Sequence, residues 1–130
     1  MTKSKGKIII QPGANPWPHE LRTAESLSAA GYIVEFIKKS EVDYEHTADV
    51  YLDGVLWEFK SPTASSLKAI ERNMRRALDQ SDKVVFDSRR MKGFPNTAIE
   101  REVHACADGR IKGLKRLSYI NRKGVVIDIK

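Results

Sequence analysis

Apolar and polar residues alternate along residues 47–52 and 55–60, on either side of the dipeptide Asp53-Gly54. Successive side chains of a strand point to opposite faces, so this alternation predicts two β-strands. Asp-Gly is well suited to a two-residue type I′ turn, which makes the segment a hairpin whose paired positions sum to 107. Asp49 then faces Glu58. The side of the hairpin predicted to face the core consists of Val50, Leu52, Val55, Trp57 and Phe59.

A different repeat, with apolar residues three and four positions apart, predicts a helix over residues 65–80. The apolar stripe of this helix consists of Leu67, Ile70, Met74, Ala77 and Leu78. The other predicted elements are a strand at 7–11, a helix at 19–30 ended by Gly31, a strand at 32–37, a polar loop at 38–47, a strand at 83–87, a helix at 96–107 and a second hairpin at 114–130. Strand–helix–strand order over residues 55–87 favours a parallel crossover. We therefore expect an α/β fold with a central mixed sheet flanked by helices on both faces, in a single domain spanning residues 1–130.

Composition narrows the class of protein. The 130 residues are 41% hydrophobic and 31% charged, as in ordinary globular proteins. No apolar run approaches the roughly 20 residues of a membrane span, and the start of the chain lacks a signal-peptide core. The single Cys106 excludes an internal disulfide, and no Cys/His zinc pattern is present.

The chain carries a net charge of +6, and its cations cluster. Residues 110–123 contain six Lys/Arg and no acid, whereas acids concentrate at residues 41–58. Basic runs suit a polyanionic partner, although a solvated surface explains each run equally well. The candidate nucleic-acid-binding residues are Lys68, Arg72, Arg75, Arg76, Arg89, Arg90, Lys112, Lys115, Arg116, Arg122 and Lys123.

The polar side of the first hairpin carries candidate chemistry. Two carboxylates directly opposite each other in an antiparallel pair repel, so the Asp49–Glu58 pair needs a compensating cation. Mg²⁺ fits, because it binds one or two carboxylates together with water and phosphate oxygens, and Lys60 on the same face can orient a water or contact a phosphate. The alternative is a solvent-facing pair in which Lys60 neutralises Glu58. Glu20 is a fourth candidate, and a helix-start glutamate stabilised by the helix dipole explains it equally well.

Other reactive residues carry less weight. Trp17 is predicted to be a packing residue, with base stacking as the second interpretation. His46 lies in the polar loop, where a solvated role is expected. His104 and Cys106 do not share a helix face, which argues against a Cys/His nucleophile pair.

The order "HE", "TAD" and "WEFKS" resembles the PD-(D/E)XK nuclease superfamily, and more narrowly the C-terminal tRNase toxin domains of CdiA contact-dependent growth inhibition proteins. The resemblance covers residues 20–87. It implies a restriction-endonuclease-like core, with Asp49 and Glu58 as metal-binding acids, Lys60 as the motif lysine and Glu20 as the helix glutamate. Ala48 stands where the motif name has proline.

The resemblance also implies a function. It predicts a metal-dependent endonuclease that uses Mg²⁺ or Mn²⁺, with Zn²⁺ as an alternative, and that cleaves tRNA in preference to DNA. The alternatives are a DNA endonuclease of phage or mobile-element origin and a catalytically silent nucleic-acid-binding module. A toxin domain is expected to be delivered from another cell, to act in the bacterial cytoplasm, to have a cognate immunity protein and to need no membrane partner. The sequence does not indicate an oligomeric state.

Overall fold

The structure, a computed structural model, describes residues 6–38, 49–64 and 66–130, with the backbone alone at Asp49. Its residues form two compact units, Met1–Trp57 and Glu58–Lys130, so the division falls inside a strand. The prediction of a single domain is not decided by this division and stays a prediction. Most of the predicted polar loop, with His46, lies outside the described residues.

The first unit contains one helix and a ladder of strands. Strand β1 pairs with β2 in parallel, β2 pairs with β3 in antiparallel orientation, and β3 pairs with the first part of β4, also antiparallel. The helix and all of these strands were predicted, and their bounds agree within one or two residues. The elements are β1 (Lys7–Ile10), α1 (Pro18–Ala29), β2 (Ile33–Ile37), β3 (Asp49–Leu52) and β4 (Val55–Lys60).

The end of α1 follows the predicted chemistry. Gly31 adopts φ 103°, in the left-handed region that glycine occupies without steric cost. Its N–H donates to Ser28 O at 3.0 Å, and the N–H of Tyr32 donates to Leu27 O at 3.0 Å. These two bonds form a Schellman motif, which satisfies the last carbonyls of the helix.

The core of the first unit lies on the face of the strands that the alternation predicted. The exception is Val55, which was expected in the core but is 44% exposed, because it directly follows the hairpin turn at the end of its strand. The fully or nearly buried residues of this core are Ala24, Leu27, Val34, Phe36, Val50, Leu52 and Trp57.

The second unit repeats the α/β theme with more helix. Strands β4, β5 and β6 are parallel neighbours, and β7 pairs antiparallel with β6. The predicted parallel crossover from β4 to β5 and the predicted C-terminal hairpin are confirmed. The elements after β4 are α2 (Lys68–Ala77), β5 (Lys83–Asp87), α3 (Asn96–Ala105), β6 (Arg116–Ile120) and β7 (Val126–Asp128).

Two helices are shorter than the periodicity predicted. Helix α2 ends at Ala77, after which Asp79 and Gln80 make tighter i→i−3 hydrogen bonds in place of the α-helical pattern. Helix α3 ends at Ala105 and passes into a π-helical turn, Cys106–Arg110. The apolar periodicity continues past the end of both helices. It therefore predicts that a helix is present but not the residue at which α-helical hydrogen bonding stops.

The core of the second unit is built by α2, α3 and the strands beneath them. Ile70 and Met74 of α2 pack with Val84 and Phe86 of β5 in one buried cluster, to which α3 and β6 contribute Ile99, Val103, Leu117 and Tyr119. The predicted fold class, an α/β fold with a mixed sheet and helices, is confirmed.

Among the described residues, no helix combines the length and the apolar character that crossing a membrane requires.

Candidate metal centre and basic surface

The first hairpin has the predicted turn and register. Asp53 and Gly54 adopt φ 49° and 83°, the two positive values that a type I′ turn requires. The observed partners are Val50 with Trp57, Tyr51 with Leu56 and Leu52 with Val55, and each pair sums to 107. The Asp53 carboxylate also accepts a hydrogen bond from Ile33 N at 2.9 Å, which ties the turn to the start of β2.

The predicted Asp49–Glu58 pair is the next step of this register. Asp49 is the first residue of β3, where its backbone partner on the other side is Ile37. Glu58 follows Trp57 in β4 and is the first residue of the second unit. The approach of the two carboxylates, which is the central expectation for a metal centre, stays a prediction.

Glu58 and Lys60 have a less polar setting than the sequence indicated. In the parallel ladder they are in register with Val84 and Phe86, which share their face and belong to the buried core under α2. Glu58 is only 5% exposed and Lys60 is half-buried. The face of β4 that the hairpin pattern predicted to be polar therefore also carries core residues of the second unit, beneath α2.

Lys60 lies where a ligand site is expected in a parallel sheet. It is the last residue of β4, and the carboxyl ends of β4, β5 and β6 meet at one edge of the second unit. Ligand sites of open α/β sheets lie outside this edge. Directly after Lys60, Ser61 O accepts a 3.0 Å hydrogen bond from Arg90 Nη1, which fixes the end of the strand.

Glu20 is buried and caps its own helix. Its side chain is 7% exposed, and Oε1 accepts a 2.8 Å hydrogen bond from the backbone N–H of Trp17, the N-cap residue of α1. This contact supports the structural interpretation of Glu20, since it satisfies a backbone donor at the helix start. A role for Glu20 as a metal ligand stays a prediction.

Several of the candidate nucleic-acid-binding arginines are already hydrogen-bonded to backbone carbonyl oxygens or to an acidic side chain. Arg89 forms a paired contact with buried Asp87, with Nη2–Oδ2 at 2.7 Å and Nε–Oδ1 at 3.0 Å. Arg122 Nη2 donates to the carbonyl oxygens of Met91 and Phe94. These contacts set the orientation of each guanidinium group. A phosphate can therefore bind only to the N–H groups that this orientation leaves accessible.

The remaining candidate cations lie at the surface. Arg75 is exposed and pairs with Glu71 one helical turn earlier, at 2.9 Å. The other exposed members are Lys68, Arg72, Arg76, Lys112, Lys115, Arg116 and Lys123.

A charged cluster that the sequence analysis missed joins α2 to α3. Arg110 pairs with Glu102 and lies 3.4 Å from Glu71, and these residues line a cavity of about 650 Å³ together with Leu67, Lys68, Arg72 and Arg75. The Arg75 hydrogen bond is the main cause that lowers the pKa of Glu71 below its ordinary value. The sequence signal was the four-residue spacing of Glu102, Cys106 and Arg110, which places them along one side of the chain.

Cys106 lies under this cluster as a neutral thiol. It is fully buried, and burial raises its pKa to about 11. Ligand atoms of Glu71, Glu102 and Cys106 all lie within 4.8 Å of one another, which is compact enough for a metal ion. Arg110, however, pairs with both carboxylates and Arg75 also pairs with Glu71, so two cations already balance the two acids.

Comparison with known proteins identifies the family of the chain. No match is found among curated proteins. The fold is similar to a solved structure described as "CdiA-CT/CdiI toxin and immunity complex from Burkholderia pseudomallei", with a TM-score of 0.68 and 18% identity over 96% of this chain and 99% of that one. Residues 45–126 match the family model for the contact-dependent growth inhibition CdiA C-terminal domain, a segment that includes Asp49, Glu58 and Lys60. The chain belongs to the CdiA C-terminal domain family of contact-dependent growth inhibition.

Proposed function

We propose that this chain is a metal-dependent nuclease of the PD-(D/E)XK type, which acts as a toxin domain and cleaves RNA, with tRNA preferred to DNA. The observation that carries the proposal is the hairpin register. Three successive pairs sum to 107, and the proposal extends this register by one step, to Asp49 and Glu58. The second support is the family match, which covers this hairpin.

The donor groups suit a hard divalent cation. Asp49 and Glu58 offer carboxylate oxygens, the ligands that Mg²⁺ and Mn²⁺ prefer, and Glu20 is the third proposed ligand. Zn²⁺ fits less well, since its structural sites favour Cys and His donors. A bound Mg²⁺ or Mn²⁺ supplies Lewis acidity and lowers the pKa of a bound water.

The chain's own residues provide the rest of the proposed chemistry. Lys60 at the carboxyl end of β4 orients the attacking water or stabilises the charge that develops on the phosphate. The position of Glu58 beneath the surface excludes bulk water from its carboxylate, which strengthens electrostatic interactions there. The exposed lysines and arginines bind the sugar–phosphate backbone without regard to sequence.

The proposed partner is a cognate immunity protein. The similar solved structure is described as a toxin and immunity complex, which supports a partner of the same kind for this chain. We propose that its docking site is the basic surface, defined as the exposed cations Lys68, Arg72, Arg75, Arg76, Lys112, Lys115, Arg116 and Lys123. We also propose that the domain acts in the cytoplasm of a target cell after delivery from another cell. An immunity protein on that surface competes with nucleic acid for the same cations.

The decisive experiment is cleavage by the purified chain. We expect it to cleave tRNA with Mg²⁺ or Mn²⁺ and to lose this activity in EDTA. We expect Lys60→Ala and Glu58→Gln to reduce cleavage at least about a hundredfold, because each removes a charged group at the reacting phosphate, while salt-sensitive RNA binding is retained. The matched controls are Lys92→Ala and Glu25→Gln, which change exposed residues by the same charge.

Each outcome bears on one part of the proposal. Cleavage of plasmid DNA but not tRNA overturns the substrate and supports the DNA endonuclease. Binding with no cleavage of either supports the silent module and overturns the enzyme. Full activity in Lys60→Ala overturns the assignment of the site.

A further inference from the structure

The side chain of Trp17 is exposed at the surface. The sequence predicted a packing residue, but the side chain is 53% exposed, so that prediction is wrong. The backbone that carries it is rigid, because prolines precede and follow it and its N–H is bound to Glu20 Oε1 at 2.8 Å. Trp17 is the N-cap residue of α1, in extended conformation with φ −69° and ψ 156°. Because this backbone is already restricted, binding of a ligand to the exposed ring has little backbone entropy left to remove.

His19 supports the indole. The two rings are nearly parallel, with centroids 6.4 Å apart and an interplanar angle of 13°. This arrangement lies within the range of offset stacking between aromatic side chains. The pair is therefore a flat aromatic surface at the start of α1, held by both the backbone and a neighbouring ring.

The proposed nucleic-acid substrate makes a nucleobase the expected occupant. Its sequence neighbours Asn15 and Pro18 are also exposed, and Asn15 is polar. The flat face of an aromatic ring matches the π face of a base. Base–aromatic stacking is the sequence-tolerant element of single-strand recognition.

We infer that Trp17, supported by His19, is a stacking platform for one unpaired nucleobase of the substrate. The inference rests on the proposed nucleic-acid substrate and narrows it to strands with an exposed base, as in RNA loops and single strands. The hydrogen bond from Trp17 N to Glu20 Oε1 links the platform to a candidate metal ligand within the first unit. A base in a duplex is stacked on its neighbours and cannot use the platform.

Tryptophan fluorescence in EDTA tests this without cleavage. The chain has two tryptophans, and Trp57 is 6% exposed, so quenching by a stacked base reports on Trp17. We expect a single-stranded RNA oligonucleotide to quench the emission. A duplex of the same sequence and an abasic RNA of the same length should not. The Trp17→Phe variant should bind the oligonucleotide within a few-fold of the unmodified chain but without the quenching.

Affinity separates stacking from a merely apolar contact. Trp17→Ala should weaken binding of the single strand by about 5- to 150-fold and leave binding of abasic RNA unchanged. Trp17→Leu, which keeps apolar surface but has no π face, should resemble Trp17→Ala. The control is Ile10→Ala, which changes another exposed hydrophobic residue of the same unit and should bind normally.

The results distinguish this inference from the proposed nuclease. Equal affinity of Trp17→Ala and the unmodified chain for the single strand, or equal quenching by abasic RNA, overturns the platform alone. An equal loss of affinity for abasic RNA shows a general structural effect and also overturns it. Quenching by the single strand in a chain that cleaves nothing overturns the nuclease and leaves the platform standing.

Discussion

The two compact units differ in charge. Residues 1–57 contain six Lys/Arg and eight Asp/Glu, whereas residues 58–130 contain 17 Lys/Arg and nine Asp/Glu. The first unit therefore has a formal charge of −2 and the second of +8. The attraction for a polyanion that the overall charge implies belongs to the second unit, while Glu20 and Asp49 belong to the first.

The units also differ in what they expose. Among the described residues, four of the five exposed large hydrophobic side chains lie in the first unit: Ile10, Trp17, Ile33 and Val55. The second unit buries its apolar residues under α2 and α3 and exposes cations. The contrast shows that the net charge of the whole chain does not describe both units. The second unit exposes the cations that can bind phosphates, whereas the first exposes hydrophobic side chains, including Trp17.

The largest expected effect tests whether the two cores unfold together. Phe86→Ala in the second unit and Phe36→Ala in the first each remove a fully buried ring, at an expected cost of about 3–5 kcal/mol in the free energy of unfolding. If the chain is one domain, both variants shift the same cooperative thermal transition, measured by calorimetry and circular dichroism.

The control for this comparison is Val125→Ala, whose side chain is 52% exposed and should cost no more than about 0.5 kcal/mol. Two separate transitions, each shifted by only one of the phenylalanine variants, would contradict the single-domain prediction.

A smaller effect sharpens the charge comparison. Replacing the exposed residues Lys112, Lys115 and Arg116 with Gln should lower the slope of log affinity for RNA against log salt by about 2 to 3 units, since each lost phosphate contact removes about 0.7–0.9. Binding titrations between low and moderate salt measure this slope.

The matched variant replaces Lys7, Arg22 and Lys38 with Gln. These are three exposed cations of the first unit, so the net charge falls by the same amount in both variants. It should leave the slope nearly unchanged. An equal decrease in both variants would show that only the total charge matters and that the basic surface has no defined location.

The smallest effect concerns acid stability within the second unit. Arg75 and Arg110 hold the pKa of Glu71 below its ordinary value of 4.5, so the folded state favours the carboxylate. The stabilising contribution is therefore present above pH 4.5 and is lost as the pH falls through the lowered pKa. Glu71→Gln should lower the melting temperature slightly at pH 7, and this difference should shrink in acid.

Asp79→Asn, which neutralises an exposed acid just after α2, serves as the control for that change of charge. A Glu71→Gln deficit that stays constant into acid would mean that the glutamate acts through packing and not through its charge.

Local signals account for most of the fold that the sequence predicted. The Asp53-Gly54 turn and the alternation around it determined the hairpin register, because strand pairing follows directly from a two-residue turn. Gly31 marked the end of α1 for a similarly local reason. Helix ends were less predictable, since Leu78 and Cys106 continue an apolar pattern beyond the regular α-helix.

The candidate site was predictable only in part. Residue types and spacing indicated Asp49, Glu58 and Lys60, but the burial of Glu58 depends on α2 packing against β5, which no local pattern specifies. The cluster of Glu71 with Arg110 joins residues 39 positions apart and was missed for the same reason.

By itself, the sequence determined the order of the strands and helices, the turn at Asp53-Gly54, the alternation of faces and the uneven charge, because each depends on a few neighbouring residues or on composition. Only the tertiary structure decided that Trp17 is exposed, that a second core lies on the face of Glu58, and that Arg110 is paired with Glu71. Burial and pairing depend on which distant segments pack together. Such contacts form between elements, and the residues at one position do not specify them.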